Sequence, residues 1–175
     1  FMEQVSLYGK NVICAATGNE GLTRRHASLN TISNQNTYDK SIDFTIAPGE
    51  RSLYLEIWQT FADDFFYELA DTTIYLTINN PTPYQPFRQY FLSFSSNTTF
   101  ITSGTWTLHI ESTPTGKIVD GRLQFWLPSK EATNSATGFL VPSSDMTFTI
   151  PSTASSVISV SGYDSSLDVF APFSG

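Results

Sequence analysis

Cysteine is nearly absent from the sequence. The single cysteine, Cys14, excludes a disulfide bond within the chain. It lies in the apolar run at residues 11–16, where a free cysteine usually behaves as a small hydrophobic side chain. The sequence therefore predicts that Cys14 is a buried and unreactive thiol.

Basic residues and long apolar runs are also scarce. Only 9 lysines and arginines stand against 16 acidic residues, which gives a formal net charge of −7. A protein that binds nucleic acid neutralises phosphates with clustered basic side chains, and this sequence has no such cluster. No apolar run approaches the roughly 20 residues that a membrane-spanning helix needs. The sequence thus predicts no nucleic-acid partner and no membrane span.

The sequence is rich instead in apolar residues that alternate with a period of two. Hydrophobic residues make up 40% of the 175 positions and aromatic residues 14%, enough for one domain with a substantial core. Alternation of this kind is typical of half-buried strands, and such strands must bury their apolar faces against a second sheet. The middle of the chain therefore predicts an antiparallel β-sandwich. The stripes are Ile42, Phe44 and Ile46; Leu53, Leu55 and Ile57; Ile74, Leu76 and Ile78; Trp106, Leu108 and Ile110; and Leu123, Phe125 and Leu127.

Two segments near the ends of the sequence have a different pattern. Residues 12–16 are continuously apolar, and residues 157–160 are nearly so. Continuous apolar runs are typical of parallel strands that helices cover on both faces. We expect these two strands to lie side by side, with the sandwich inserted in the connection between them.

The first of these segments leads into a glycine-flanked turn, Gly18-Asn19-Glu20-Gly21. An asparagine held still at the end of a buried strand can aim its amide at a developing negative charge, as an oxyanion hole requires. The alternative is an ordinary turn residue, because asparagine beside glycine often adopts left-handed backbone geometry. The motif alone leaves both interpretations open.

A second segment, near the end of the sequence, makes the interpretation of the Asn19 turn more specific. Residues 149–164 and 171–175 run from a small-residue turn through an apolar strand into an Ala-Pro-Phe-Ser stretch. Together with residues 15–21, this pattern resembles the subtilisin-like serine proteases, or subtilases. In ordinary subtilases the two segments lie close together in sequence, whereas here residues 30–147 separate them. The resemblance therefore implies an insertion.

The inserted stretch has a resemblance of its own. Residues 104–108 and 125–128 are similar to the β-sandwich of clostridial-type subtilases, which include spore-germination proteases. The implied fold is mostly β, with a jelly-roll-like antiparallel sandwich inserted between two strands of an α/β subtilase domain. Residues 1–37 and 148–175 would then belong to the catalytic domain, and residues 38–147 would form the sandwich.

The resemblance also implies roles for the residues around the turn. Asn19 would donate its side-chain amide to the oxyanion. The small residues before it would form one wall of the primary specificity pocket and leave room for a substrate side chain. Glu20 would lie at the pocket rim, where a carboxylate favours a basic residue before the scissile bond; a solvated surface charge is the equally open alternative. The wall residues are Ala15, Ala16, Thr17 and Gly18.

Subtilase catalysis needs further residues that these segments lack. The catalytic Asp and His of the family precede the Asn-bearing strand, and the nucleophile lies in a Gly-Thr-Ser-Met-type turn that this sequence does not contain. We expect the chain to be an internal fragment of a serine endopeptidase and to be inactive by itself. The implied partners are a peptide or protein substrate and the enzyme's own propeptide. The implied location is secreted, cell-surface or spore-associated in a bacterium.

Two other functions stay open at this stage. The parent protein is either an active protease or a degenerate pseudoprotease that acts by binding or signalling, since all three triad positions lie outside the sequence. The other alternative is that the sandwich is an independent carbohydrate- or protein-binding module. Trp58, Trp106 and Trp126 are then candidates for stacking on sugars. Tryptophan in alternating strands is more often part of the core.

No cofactor and no metal site are predicted, and calcium is the alternative left open. The acidic and aromatic residues 61–68, with Asp71, offer oxygen ligands of the type that calcium takes. Their spacing lacks the EF-hand pattern.

Overall fold

The computed structural model describes residues 2–6, 10–30, 38–63, 65–68, 74–83, 85–96, 98–114, 118–149 and 152–174, with the backbone alone at 2, 3, 66 and 68. These residues form two compact units. Unit 1 comprises Phe1–Arg24 and Ser143–Gly175, and unit 2 comprises Arg25–Pro142. No helix in the described ranges is long and apolar enough to cross a membrane.

The elements are almost all strands. In chain order they are α1 (Met2–Ser6), β1 (Cys14–Ala16), β2 (His26–Leu29), β3 (Asp39–Ile46), β4 (Leu53–Thr60), β5 (Phe65–Glu68), β6 (Ile74–Asn79), β7 (Phe87–Phe94), β8 (Gly104–Ser112), β9 (Leu123–Trp126), β10 (Gly138–Phe139), β11 (Ile158–Val160), β12 (Tyr163–Asp164) and β13 (Val169–Phe170).

Unit 1 contains a parallel strand pair. β1 pairs with β11, so that Cys14 lies opposite Ile158 and Ala16 lies opposite Val160. The expectation that these two segments lie side by side is confirmed. Parallel neighbours need a long crossover connection, and here the whole of unit 2 lies between them in sequence. β12 and β13 form an antiparallel hairpin in the same unit.

The burial predicted for Cys14 is wrong. Cys14 is exposed, and so are Ile158 and Val160 on the partner strand. A continuous apolar run is buried only where other layers cover both faces of its sheet. The only helix in the described residues is the five-residue α1, which is too short to cover this sheet.

Unit 2 is an antiparallel β-sandwich, as the alternation predicted. One sheet has the strand order β10-β3-β8-β5 and the other has the order β2-β9-β4-β7-β6. Apolar side chains of the two sheets meet in a single buried cluster. Phe44 of β3 meets Phe94 of β7 edge-on at 6.0 Å between ring centroids, and Tyr67 of β5 lies 5.1 Å from Tyr90 of β7.

The stripe predicted for β6 is only partly correct. β6 forms where the alternation indicated a strand, but Leu76 and Ile78 are exposed. β6 is the edge strand of the five-stranded sheet, where β7 is its paired neighbour in the described residues. Periodicity identifies the strand and does not tell an edge strand from a central one.

In the sequence, the boundaries between the two units fall between residues 24 and 25 and between residues 142 and 143. The sequence-based division of the protein into domains, at residues 37/38 and 147/148, stays a prediction, as does the jelly-roll description of the sandwich.

Candidate functional site

The loop that follows β1, residues 17–21, is the centre of the candidate site and is named the Asn19 loop. Its first residue is held from two sides. The Thr17 amide donates to the Val160 carbonyl at 3.1 Å, and the Thr17 carbonyl accepts from the Thr149 amide at 2.9 Å. The buried Thr17 hydroxyl shares a 3.0 Å hydrogen bond with the Ser174 hydroxyl. The backbone at the start of the loop is therefore fixed by residues more than a hundred positions later in the sequence.

The far side of the Asn19 loop is fixed as well. The Gly21 amide donates to the Phe173 carbonyl at 3.1 Å. The Thr23 hydroxyl donates to the Glu20 carboxylate at 2.6 Å, and the Thr23 amide donates to the Glu20 carbonyl at 3.0 Å. Both ends of the loop are thus tied to unit 1 by short hydrogen bonds.

The two flanking glycines are required by geometry. Gly18 has a φ of +100°, and a Cβ added there would lie 2.4 Å from the Thr149 Oγ1. A Cβ at Gly21 would lie 2.8 Å from the Ser174 carbonyl oxygen and 2.9 Å from the Pro172 carbonyl oxygen. The backbone approaches its neighbours so closely on each side of the motif that no larger residue fits without a shift.

The Asn19 side chain takes no part in these contacts. Its side chain is exposed, and the described residues provide no hydrogen-bond partner for it. A primary amide carries two N–H donors. The loop therefore presents two unused donors from a backbone that its neighbours hold still.

The residues predicted to line a substrate pocket lie in the same short stretch, with different exposure. Ala16 is exposed at the end of β1, Gly18 and Glu20 are half-buried, and Thr17 is buried. The Thr17 side chain is engaged with Ser174. The structure does not test what these residues bind.

Sequence reasoning missed the residues that hold the loop. Thr149, Phe173 and Ser174 were recognised only as parts of a family-like segment, with no role assigned. Their contacts with the Asn19 loop join positions far apart in the chain, and nothing in the local pattern indicates which distant residues meet. The one signal in the sequence was the expected pairing of the strands β1 and β11, which places the later segment beside the Asn19 loop.

The acidic stretch considered for calcium lies only partly within the described residues, since Asp64 and Asp71 fall outside them and Glu68 is described by its backbone alone. Asp63 is fully buried. Its Oδ1 accepts from the Val119 amide at 2.5 Å and the Asp120 amide at 3.1 Å, and its Oδ2 accepts from the Gly121 amide at 2.8 Å. This carboxylate joins two loops of unit 2 and has both oxygens engaged.

A comparison with known proteins assigns the architecture to a class. No protein-family model matches the sequence, and no curated protein matches it. Among solved structures the chain matches part of a protease, and it shares the fold of that part.

That protease is CspB of Clostridium perfringens. The structural match has a TM-score of 0.82 and a sequence identity of 23%. It covers 99% of this chain and 40% of the CspB chain. At this identity the likeness defines the fold, and this chain spans less than half the length of the protease that it resembles.

Proposed function

We propose that this chain is part of a subtilisin-like serine endopeptidase and that Asn19 is an oxyanion-hole donor. The observation that carries the proposal is the exposed Asn19 amide, which has no partner in the described residues, on a loop fixed at Thr17 and Gly21. A donor that is already in place stabilises developing charge without reorganising during the reaction. The fold shared with part of the CspB protease supports the assignment to a protease.

The role of Asn19 follows from acyl-transfer chemistry. A serine hydroxyl attacks the scissile carbonyl while a histidine takes its proton, and the carbonyl oxygen becomes an oxyanion. One N–H of Asn19, with a backbone N–H, would donate to that oxygen. The Asp, His and Ser of the triad would come from other parts of a longer parent protein. This chain covers 40% of the CspB chain, which indicates how long such a parent would be.

The neighbours of Asn19 fit a substrate-binding wall. Ala16 and Gly18 present little side chain, which leaves room for a substrate residue. The Glu20 Oε2 accepts from Thr23, and its Oε1 has no hydrogen bond in the described part of the chain. That oxygen would favour a basic residue before the scissile bond. Thr17 would support this wall without contacting the substrate, because its buried hydroxyl is hydrogen-bonded to Ser174.

The sandwich would have a structural or regulatory role. We propose that unit 2, which lies in sequence between the two parts of unit 1, stabilises the parent protease or holds its propeptide. Secretion or a cell-surface or spore location in a bacterium belongs to the same proposal.

The test uses the intact parent protein. Fluorophosphonate labelling and peptide hydrolysis are compared for the wild type, Asn19→Ala and the control Asn30→Ala, in which another exposed asparagine is removed. We expect Asn19→Ala to lower kcat by about 10²–10³, a magnitude taken from the oxyanion-hole asparagine of a subtilisin itself. KM should change little, because the donor acts mainly in the transition state.

Each outcome is decisive. Labelling of the wild type with a large loss of kcat in Asn19→Ala alone supports the proposal. Unchanged turnover in Asn19→Ala rejects the oxyanion role. A folded parent protein that is neither labelled nor active favours the alternative of a degenerate protease that acts by binding.

A further inference from the structure

We infer that unit 2 carries a binding site for a divalent transition-metal ion, formed by Asp39, His109 and Glu111. The site belongs to unit 2, whereas the Asn19 loop belongs to unit 1, and it does not depend on the function proposed for that loop. The three side chains lie on the outer face of the sheet with the order β10-β3-β8-β5.

The strand register brings the three residues together. Asp39 of β3 lies directly opposite Glu111 of β8. His109 lies two residues before Glu111 on the same strand, so its side chain is on the same face. The buried residues Leu108 and Ile110 alternate with this pair and face the core. The positions are therefore set by a central strand pair of the sandwich.

The ligand atoms have the separations that a metal ion needs. The His109 Nε2 is 3.5 Å from the Asp39 Oδ1 and 2.9 Å from the Glu111 Oε1. One ligand atom from each residue lies within 4.8 Å of the other two. Tetrahedral ligands at 2.0–2.2 Å from zinc are about 3.3 Å apart, and the two observed distances bracket that value.

The chemistry of the cluster favours a cation. One imidazole nitrogen and two carboxylates are ligands of the kind that zinc and similar borderline divalent ions take. In the described residues, the ion-pair contacts of Asp39 and Glu111 are with His109, and neither carboxylate pairs with a lysine or arginine. The side chains of His109, Asp39 and Glu111 are 39%, 77% and 56% exposed, so an ion and its waters can reach them.

The other histidine provides an internal control. His26 is buried, its Nε2 is 2.8 Å from the Gln124 Oε1, and its ring stacks on Trp126. The sequence has two histidines in total, so ring signals in NMR spectra belong to one buried and one exposed imidazole.

The experiment titrates ZnCl₂ into the metal-free 175-residue chain, without a histidine tag, by calorimetry and by ¹⁵N NMR of the histidine rings. We expect one zinc ion per chain and a shift of the His109 ring signals, with those of His26 unchanged. His109→Gln, Asp39→Asn and Glu111→Gln should each weaken the Kd at least about tenfold, the loss that even an outer-shell change produces. Asp43→Asn is the matched control, because Asp43 lies on the same face and accepts a 2.6 Å hydrogen bond from Thr107. Its Kd should stay within about twofold of the wild-type value.

The result can overturn the inference in three ways. The site is rejected if zinc does not bind, if His109→Gln binds as tightly as the wild type, or if Asp43→Asn loses affinity to the same extent as Asp39→Asn. The NMR shifts of the wild type decide the matter even where a variant is poorly folded, because a His109 ring that does not respond to zinc excludes it as a ligand.

Discussion

At the scale of single residues, Gly18 shows how tightly the Asn19 loop is built. We predict that Gly18→Ala destabilises the protein more than Gly49→Ala does. Both glycines have left-handed backbone geometry, with φ of +100° and +90°. A Cβ at Gly49 meets nothing within 4 Å, whereas one at Gly18 overlaps Thr149. Gly49→Ala therefore measures backbone strain alone, and Gly18→Ala should add about 1–3 kcal/mol for the steric overlap.

The free energy of unfolding from urea titration gives this difference, and amide hydrogen exchange locates it in the Asn19 loop. Equal costs for the two substitutions would show that Thr149 moves aside without penalty, and the loop would then be less rigid than the structure indicates.

Asp164 gives a prediction on pH dependence. The Ser166 hydroxyl donates to its carboxylate at 2.6 Å and, with the Ser166 and Leu167 amides, lowers the pKa of Asp164 below its usual range. Because the folded-state pKa is lowered, the carboxylate stabilises the β12–β13 hairpin above the unfolded-state pKa of about 3.9. That contribution is lost as the pH falls through the lower, folded-state pKa.

A carboxyl ¹³C NMR titration of Asp164 measures this pKa directly. Ser166→Ala should move the midpoint up toward the ordinary aspartate value, whereas Ser165→Ala, a change at the neighbouring exposed serine, should leave it in place. A midpoint unaffected by Ser166→Ala would mean that the hydroxyl contact is not formed in solution.

At the scale of elements, one row of leucines crosses from the centre of a sheet to its edge. Leu55 of β4, Leu92 of β7 and Leu76 of β6 are register neighbours. These residues are 0%, 7% and 55% exposed. We predict that Leu55→Ala costs about 2–5 kcal/mol, that Leu92→Ala costs slightly less, and that Leu76→Ala costs under about 1 kcal/mol.

Urea titration of the three variants tests the order, with the same chemical change at each position. A cost for Leu76→Ala that matched the cost for Leu55→Ala would contradict the exposed placement of β6 and would show that another surface covers it in solution.

The same row explains how far the sequence predicts the sheets. The stripes on β3 and β4 were correct because both faces of a central strand have fixed environments, and alternation reports them directly. The stripe on β6 has the same alternation, and the exposed Leu76 shows that strand position in the sheet is additional information. Cys14 is a similar case, since an apolar run does not encode which layers cover it.

The candidate site also has a part that the sequence predicts and a part that it does not. The glycine-flanked turn at residues 18–21 is visible in a short window of sequence, because glycine and asparagine both favour turns. The hydrogen bonds from Thr149 and to Phe173 depend on long-range contacts that no local pattern contains. The turn motif was therefore predictable from the sequence, whereas the distant residues that hold it in place were not.

At the scale of the whole molecule, unit 2 has a core of its own. Every residue of the buried apolar cluster lies within Arg25–Pro142. We predict that residues 25–142, expressed alone, fold into a β-sandwich and unfold in one cooperative transition. Circular dichroism during thermal or urea unfolding measures this.

The Leu55→Ala substitution in the same fragment serves as the control and should lower the midpoint. A fragment with no cooperative transition, or with a midpoint that Leu55→Ala leaves unchanged, would show that unit 2 is not an independent folding unit.

The split of unit 1 across the sequence also sets an order of events during synthesis. β1 leaves the ribosome first, whereas its partner β11 and the loop-holding residues Thr149 and Phe173 follow only after all of unit 2. At a translation rate of roughly 5–20 residues per second, an interval on the order of ten seconds separates them. The sandwich has time to fold in that interval, while the Asn19 amide still lacks a fixed position. The Asn19 loop therefore acquires its fixed geometry only after Thr149 and Phe173 have been synthesised.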